Sequence, residues 1–235
     1  MNSYRSQRKL LLFDVDGTLI LTRGRGRQAM VAAAEAEFGR PIRMEFKDFA
    51  GSTDRRIIAE MLAKNGIAVE NPETALHRVL VRYLKELQPL MSAPGTVEIL
   101  PGVKNLLEAV SRNGEFVPGL LTGNIEQGAR IKLEAAGLNS YFSFGAYGDD
   151  HADRNQLPGF ALRRAEALCG ENFPAESVWI IGDTPKDVEC ARVNRLRSLA
   201  VATSAWSVAD LMEHSPDAAL PNFADTEAVL KVLRA

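Results

Sequence analysis

The chain is expected to fold as an α/β protein: a doubly wound, three-layer core on a mostly parallel sheet, with a small all-α cap domain inserted after the first strand. Three observations lead there. From residue 116 onward, short apolar runs alternate with stretches of helical periodicity, the pattern of βαβ units whose right-handed crossovers cover both faces of a parallel sheet. Near the N-terminus, an apolar run over 10–13 is long enough for one buried strand and breaks off in two carboxylates. After that strand, the periodicity up to residue 87 is helical. The Rossmann-like core is therefore assigned to 1–20 and 98–235, and the cap to 21–97.

Taken in order, the strand ends in Asp14-Val15-Asp16, and Gly17-Thr18 turn the chain. Thr22-Arg23-Gly24-Arg25-Gly26-Arg27 reads as a basic, flexible hinge into a helix over 29–38, which Gly39-Arg40-Pro41 ends. A second helix over 54–64 places Ile57, Ile58, Met61 and Leu62 on one face, and a third over 73–87 repeats apolar residues from Leu76 to Leu87 at helical spacing. Residues 90–100 read as the return hinge. Pro101-Gly102 opens a helix that Asn113-Gly114 stops. Strands are expected over 116–122, 141–147, 178–183 and 198–202, with helices over 126–136, 157–168 and 186–194 between them.

Composition narrows the function. At 235 residues, 46% hydrophobic and 25% charged, the chain can bury a full core and a smaller insert, and it has the make-up of a soluble globular protein. A net charge of −2 offers no general attraction to nucleic acid or to an anionic membrane, so neither is an expected partner and any affinity for phosphate must be local. The first nine residues are polar and basic, and Asp14 cuts the apolar run too early for a signal peptide or a membrane span, which implies a cytoplasmic location. Cys169 and Cys190 read as reduced structural residues.

Side chains alternate along a strand, so Asp14 and Asp16 can face one pocket beyond the sheet edge. Two carboxylates this close favour a hard divalent cation between them, magnesium first. With its charge screened, Asp14 can attack phosphorus as a nucleophile, while Asp16 protonates the leaving oxygen and later deprotonates water. D-x-D alone is equally a strand end whose aspartates cap a turn. Thr122-Gly123-Asn124 closes a strand just before a helix, where a hydroxyl and free backbone amides suit a phosphoryl group, although a plain helix cap has the same appearance. Asp183 ends another apolar strand and can complete an oxygen shell with Asp14 and Asp16, with Asp187 in support.

The residues Asp14-Val15-Asp16-Gly17-Thr18-Leu19 resemble the first motif of the haloacid dehalogenase-like hydrolase superfamily, and the chain is similar to its phosphoglycolate-phosphatase-like branch with a small α-helical cap. The resemblance implies that Thr122, with Gly123 and Asn124, holds the phosphate, and that Asp183 and Asp187 match the acidic fourth motif. It also implies a lysine ahead of the helix preceding that motif. No lysine lies between Lys132 and Lys186; Arg154, in Asp153-Arg154-Asn155-Gln156-Leu157-Pro158, takes the place, with its charge and two donors. Arg163 and Arg164 fall inside the helix and read as its solvated face. From the cap, Thr53 and Arg55 in Gly51-Ser52-Thr53-Asp54-Arg55-Arg56 are the substrate-binding candidates, a capped helix with exposed arginines being the alternative.

The expectation is a magnesium-dependent phosphatase hydrolysing a small phosphorylated metabolite through an aspartyl phosphate, as a monomer or homodimer, with Asp14, Asp16, Thr122 and Arg154 catalytic. A phosphomutase retains both aspartates and is the nearest enzymatic alternative. A non-catalytic phosphate-binding regulator on the same fold is the other.

Overall fold

The computed structural model describes residues 8–112 and 114–235. Strand β1 (Lys9–Phe13) is buried on both faces: Leu11 and Phe13 join one apolar cluster, Leu10 and Leu12 another. That split is the alternation of an extended backbone, and it makes β1 the middle of three layers. The chain then forms β2 (Ile20–Leu21) and four helices: α1 (Arg25–Phe38), α2 (Phe46–Phe49), α3 (Asp54–Lys64) and α4 (Pro72–Ser92). β3 (Glu98–Ile99) pairs antiparallel with β2, Ile20 opposite Ile99. The return to the core follows through α5 (Val103–Arg112), β4 (Phe116–Leu121), α6 (Glu126–Ala135), β5 (Gly145–Ala146), α7 (Leu157–Cys169), β6 (Val178–Gly182), α8 (Pro185–Val193) and β7 (Arg197–Val201). The C-terminal segment adds α9 (Val208–Met212), β8 (Ala218–Leu220) and α10 (Thr226–Arg234).

The main sheet runs β5-β4-β1-β6-β7-β8, and every pairing in it is parallel. α5, α6 and α10 supply the first cluster, while α7 and α8 supply the second, so helices cover both faces as parallel crossovers require. α1, α3 and α4 pack around an apolar cluster of their own, with Met30, Ile58, Met61, Val79 and Tyr83 at its centre. Trp179 is core, and neither cysteine is paired. Among the described residues no helix is long and apolar enough to cross a membrane.

Several expectations shift. The basic hinge is shorter than its composition implies: only Arg23 and Gly24 take left-handed conformations, and α1 already starts at Arg25. α4 continues past 87 through Pro89 to Ser92, burying Leu87 and Met91. Burial of such side chains contributes about 1.5–3 kcal/mol each, enough to offset the ~3 kcal/mol cost of an interior proline. The expected strand over 141–147 shrinks to β5, because Asn139–Tyr141 coil into a tight turn at the sheet edge. Just ahead of the first hinge and within the second, the chain forms the β2–β3 ribbon, whose two-residue strands are too short to show periodicity. Of the expected Asn113-Gly114 stop, Asn113 lies outside the described residues, as do residues 1–7.

Candidate active site

The order of the main sheet reverses about β1, with β4 and β5 on one side and β6, β7 and β8 on the other. In an open α/β sheet that reversal leaves a crevice beyond the carboxyl ends of the strands. Asp14 follows β1, Thr122 follows β4 and Asp183 follows β6, so the parallel pairing of these strands brings the three residues to one place. Gly17 turns the chain there with φ +84, and a Cβ on it would lie 2.3 Å from Asp183 Oδ2. Only glycine satisfies both conditions.

Asp14 is buried, 3.3 Å from Arg154 Nη2. Burial pushes its pKa up to about 6; the Arg154 charge opposes the shift and the Asp187 charge adds to it. Asp183 is raised well above the usual carboxylate range, by burial first and then by Asp187 and Asp14, although Thr18 Oγ1 donates to it at 2.9 Å. One carboxylate oxygen from each of Asp14, Asp183 and Asp187 lies within 4.8 Å of the others. Three buried carboxylates thus face one guanidinium, an excess of negative charge that the interior tolerates poorly. The donors are all oxygen, as a hard divalent cation such as magnesium requires, so the residues fit that group.

The Asp16 carboxylate, expected among the metal ligands, is not in that set. Asn124 Nδ2 donates to its Oδ2 at 2.8 Å and Lys132 Nζ at 2.6 Å. Asp187 instead takes the third place. It also closes the capping box of α8, accepting from Thr184 N at 3.0 Å and Oγ1 at 2.7 Å.

Arg154 lies in a single tight turn ahead of α7, whose start Asp153 caps by accepting from Asn155 N at 3.0 Å. Its Nη2 donates to Asp187 Oδ1 at 2.5 Å, and its Nε is buried without a partner. Burial works against the guanidinium charge, but Asp14 and Asp187 outweigh it and hold the pKa above the ordinary arginine value. Of the two rivals, Arg163 lies over the Phe160 ring, 4.6 Å from its centroid, on the exposed face of α7. Arg164 is not simply solvated: it grips both oxygens of Asp150 at 2.6 Å and donates to Gly145 O at 2.7 Å.

Thr122 is fully buried, and its Oγ1 accepts from Asn124 N at 3.3 Å and Nδ2 at 2.8 Å. Both lone pairs being used, the hydroxyl proton is left for an outside acceptor such as a phosphoryl oxygen. These groups open into a cavity of about 380 Å³ that reaches the helical insert and is walled by Leu21, Met30, Phe46, Ile57, Tyr83 and Trp206. Gly123 and Asn124 line it, as does the insert's Ser52-Thr53-Asp54 turn through Ser52 and Asp54 only.

The two cap candidates are engaged elsewhere. Thr53 Oγ1 donates to Ala152 O at 2.6 Å and accepts from Arg56 N at 3.2 Å as the N-cap of α3, so its hydroxyl is spent. Arg55 pairs with Glu73 at 2.7 Å, on the outside of the insert. The group that sequence reasoning passes over is Lys132, which lines the cavity from α6. A signal was present: Ala129, Lys132 and Leu133 share the inward stripe of that helix, where a lysine is out of place.

The sequence profile of the haloacid dehalogenase-like hydrolases matches residues 11–201. A phosphoglycolate phosphatase of Synechococcus elongatus is 29% identical over 160 residues, 67% of this chain and 70% of that protein. Among solved structures, a hydrolase from Pseudomonas syringae superposes with a TM-score of 0.73 at 19% identity, covering 96% of this chain and 98% of its own. A predicted phosphoglycolate phosphatase from Haemophilus somnus does so at 0.71 and 18%, covering 96% and 99%. Structures bearing a provisional β-phosphoglucomutase name share the fold as well. At these identities the structural likenesses concern fold alone, but the profile match runs through every strand end of the site. The chain belongs to the haloacid dehalogenase-like hydrolases.

Proposed function

We propose that the protein is a magnesium-dependent phosphatase that hydrolyses a small phosphomonoester through an aspartyl phosphate on Asp14, with residues 21–97 acting as a cap over the site. The observation that carries this reading is the meeting of Asp14, Thr122, Arg154 and Asp183 at one sheet edge, with Asp16 beside them. Asp14, Asp183 and Asp187 would hold the cation, which when bound neutralises carboxylate and phosphoryl charge.

An Asp14 carboxylate oxygen attacks phosphorus as the bond to the leaving oxygen breaks, and Asp16 gives that oxygen its proton. Water then loses a proton to Asp16 while its oxygen attacks phosphorus, and the bond from phosphorus to Asp14 breaks to release phosphate. Arg154 and the Thr122 hydroxyl hold the phosphoryl oxygens through both steps. The substrate of this reading is a small phosphorylated metabolite, and the setting is the cytoplasm, as a monomer or homodimer.

A phosphate-release screen over many phosphomonoesters, in magnesium and in chelator, tests the proposal. Release is expected from wild type in magnesium only, and none from a folded Asp14→Asn, whose amide keeps the shape but neither attacks nor carries the charge. A phosphomutase would move phosphate between positions of its substrate without releasing it. Turnover by Asp14→Asn, or equal rates in magnesium and chelator, would overturn the mechanism.

A further inference from the structure

Lys132 is 4% exposed, on the inward face of α6. Its amine donates to Asp16 Oδ2 and to Asn124 Oδ1, each at 2.6 Å. Asn124 Nδ2 donates in turn to Asp16 Oδ2 and to Thr122 Oγ1, both at 2.8 Å. One side of the socket is built by the helical insert. Tyr83 of α4 lies beside the amine and Asp54 of α3 adds its charge. Gly26 of α1 lies so close that a Cβ there would sit 3.1 Å from Nζ.

Burial alone drives an amine toward its neutral form, but Asp16, Tyr83 and Asp54 outweigh it and hold the Lys132 pKa above the usual lysine value. A buried ammonium is costly to keep, and apolar residues of similar volume commonly pack such a position at least as stably. Core packing therefore does not account for it. Asp16 has the opposite difficulty: its side chain is 37% exposed, and among the described residues its side-chain partners besides Asn124 and Lys132 reduce to a 3.5 Å contact from Thr22 Oγ1. Proton transfer to a leaving oxygen needs that carboxyl held in one place within hydrogen-bond reach.

We propose that Lys132 is the positioning residue of the acid–base carboxylate, fixing Asp16 together with Asn124 from a socket that the helical insert completes. The inference rests on the phosphatase reading of Asp16. It predicts which substrates suffer when Lys132 is lost. An alkyl ester leaves as a basic alkoxide that needs the Asp16 proton, whereas p-nitrophenolate leaves without one. Misplacing Asp16 therefore slows phosphoryl transfer to Asp14 far more from the first than from the second, while the later water step is common to both.

The experiment compares glycerol phosphate and p-nitrophenyl phosphate with wild type, Lys132→Met, Lys132→Gln and Lys132→Arg, all in magnesium. The two neutral variants are expected to lose about tenfold to a hundredfold in kcat/KM on the alkyl ester and less than about threefold on the aryl ester, since kcat/KM reports the steps through leaving-group departure and not the water step both esters share. Lys132→Arg should recover part of the alkyl activity. Lys132→Gln retains a polar group in the socket and carries the comparison if the methionine variant does not fold. Equal losses of kcat/KM on both esters would assign Lys132 a purely structural role, and an unchanged alkyl kcat/KM would remove it from catalysis; either result overturns the inference while leaving the phosphatase reading intact. Failure of wild type to release phosphate from either ester would overturn that reading, and this inference with it.

Discussion

Arg154 holds the charge balance of the site on one side chain, set against Asp14 at 3.3 Å and Asp187 at 2.5 Å. Removing it leaves buried carboxylates unpaired, which typically costs about 3–5 kcal/mol of stability, and it withdraws a cation from the developing transition-state charge. Arg154→Met is expected to lower kcat by a factor on the order of a hundred to a thousand and to reduce Tm. Arg154→Lys restores the charge without the planar fork, so part of the rate should return. Arg163→Met, altering an exposed side chain stacked on Phe160, should turn over at the wild-type rate. Steady-state kinetics on the three variants decides the matter, and wild-type kcat in Arg154→Met would move the role to another cation.

At the scale of elements, the turn leading into α3 stitches the helical insert to two core loops and to the start of α8. Asp54 N donates to Gly123 O at 2.7 Å, and the Asp54 carboxylate accepts from Ile125 N at 2.9 Å. Thr53 Oγ1 reaches Ala152 O at 2.6 Å, and Lys186 Nζ reaches Ser52 Oγ at 2.6 Å. The approach depends on Gly123, where a Cβ would lie 2.0 Å from Ser52 O. Gly123→Ala should force the turn away and disturb the neighbouring Thr122 and Asn124. A displacement of about 1 Å at an active site costs on the order of a hundredfold, and that is the expected fall in kcat/KM. Circular dichroism should meanwhile remain that of a folded chain. Wild-type kcat/KM in this variant would show that the contact is dispensable.

For the whole molecule, three mutually repelling buried carboxylates make the metal-free protein less stable than its packing allows. A ligand that binds only the folded state stabilises it by RT ln(1 + [L]/Kd), about 2.7 kcal/mol at a hundredfold excess over Kd. At about 2–4 °C per kcal/mol for a chain of this size, saturating magnesium should raise Tm by about 5–10 °C. Asp183→Ala should lose most of that rise, since one anionic oxygen donor is gone. Calcium should also raise Tm but support little turnover, because its looser coordination can occupy both oxygens of Asp14. Identical melting curves with and without magnesium would exclude a cation from this site.

The sequence by itself determined strands β1, β4, β6 and β7, their ends and the helical insert. An apolar run that stops at a carboxylate or a threonine marks the end of a buried strand whatever lies beside it, so Asp14, Thr122 and Asp183 were legible from local pattern alone. The same local logic placed α3 at Asp54–Lys64 and put Arg154 just ahead of α7. Only the tertiary structure decided partners. Lys132 and Asp16 are 116 residues apart in the chain yet 2.6 Å apart in space, and nothing near either one announces the pair beyond a lysine on an apolar stripe. The partners of Thr53 and Arg55 also come from the fold: Thr53 Oγ1 donates to Ala152 O and Arg55 Nη2 to Glu73. Periodicity is set within a few residues by backbone geometry, whereas burial and ion pairing depend on which faces of distant elements meet.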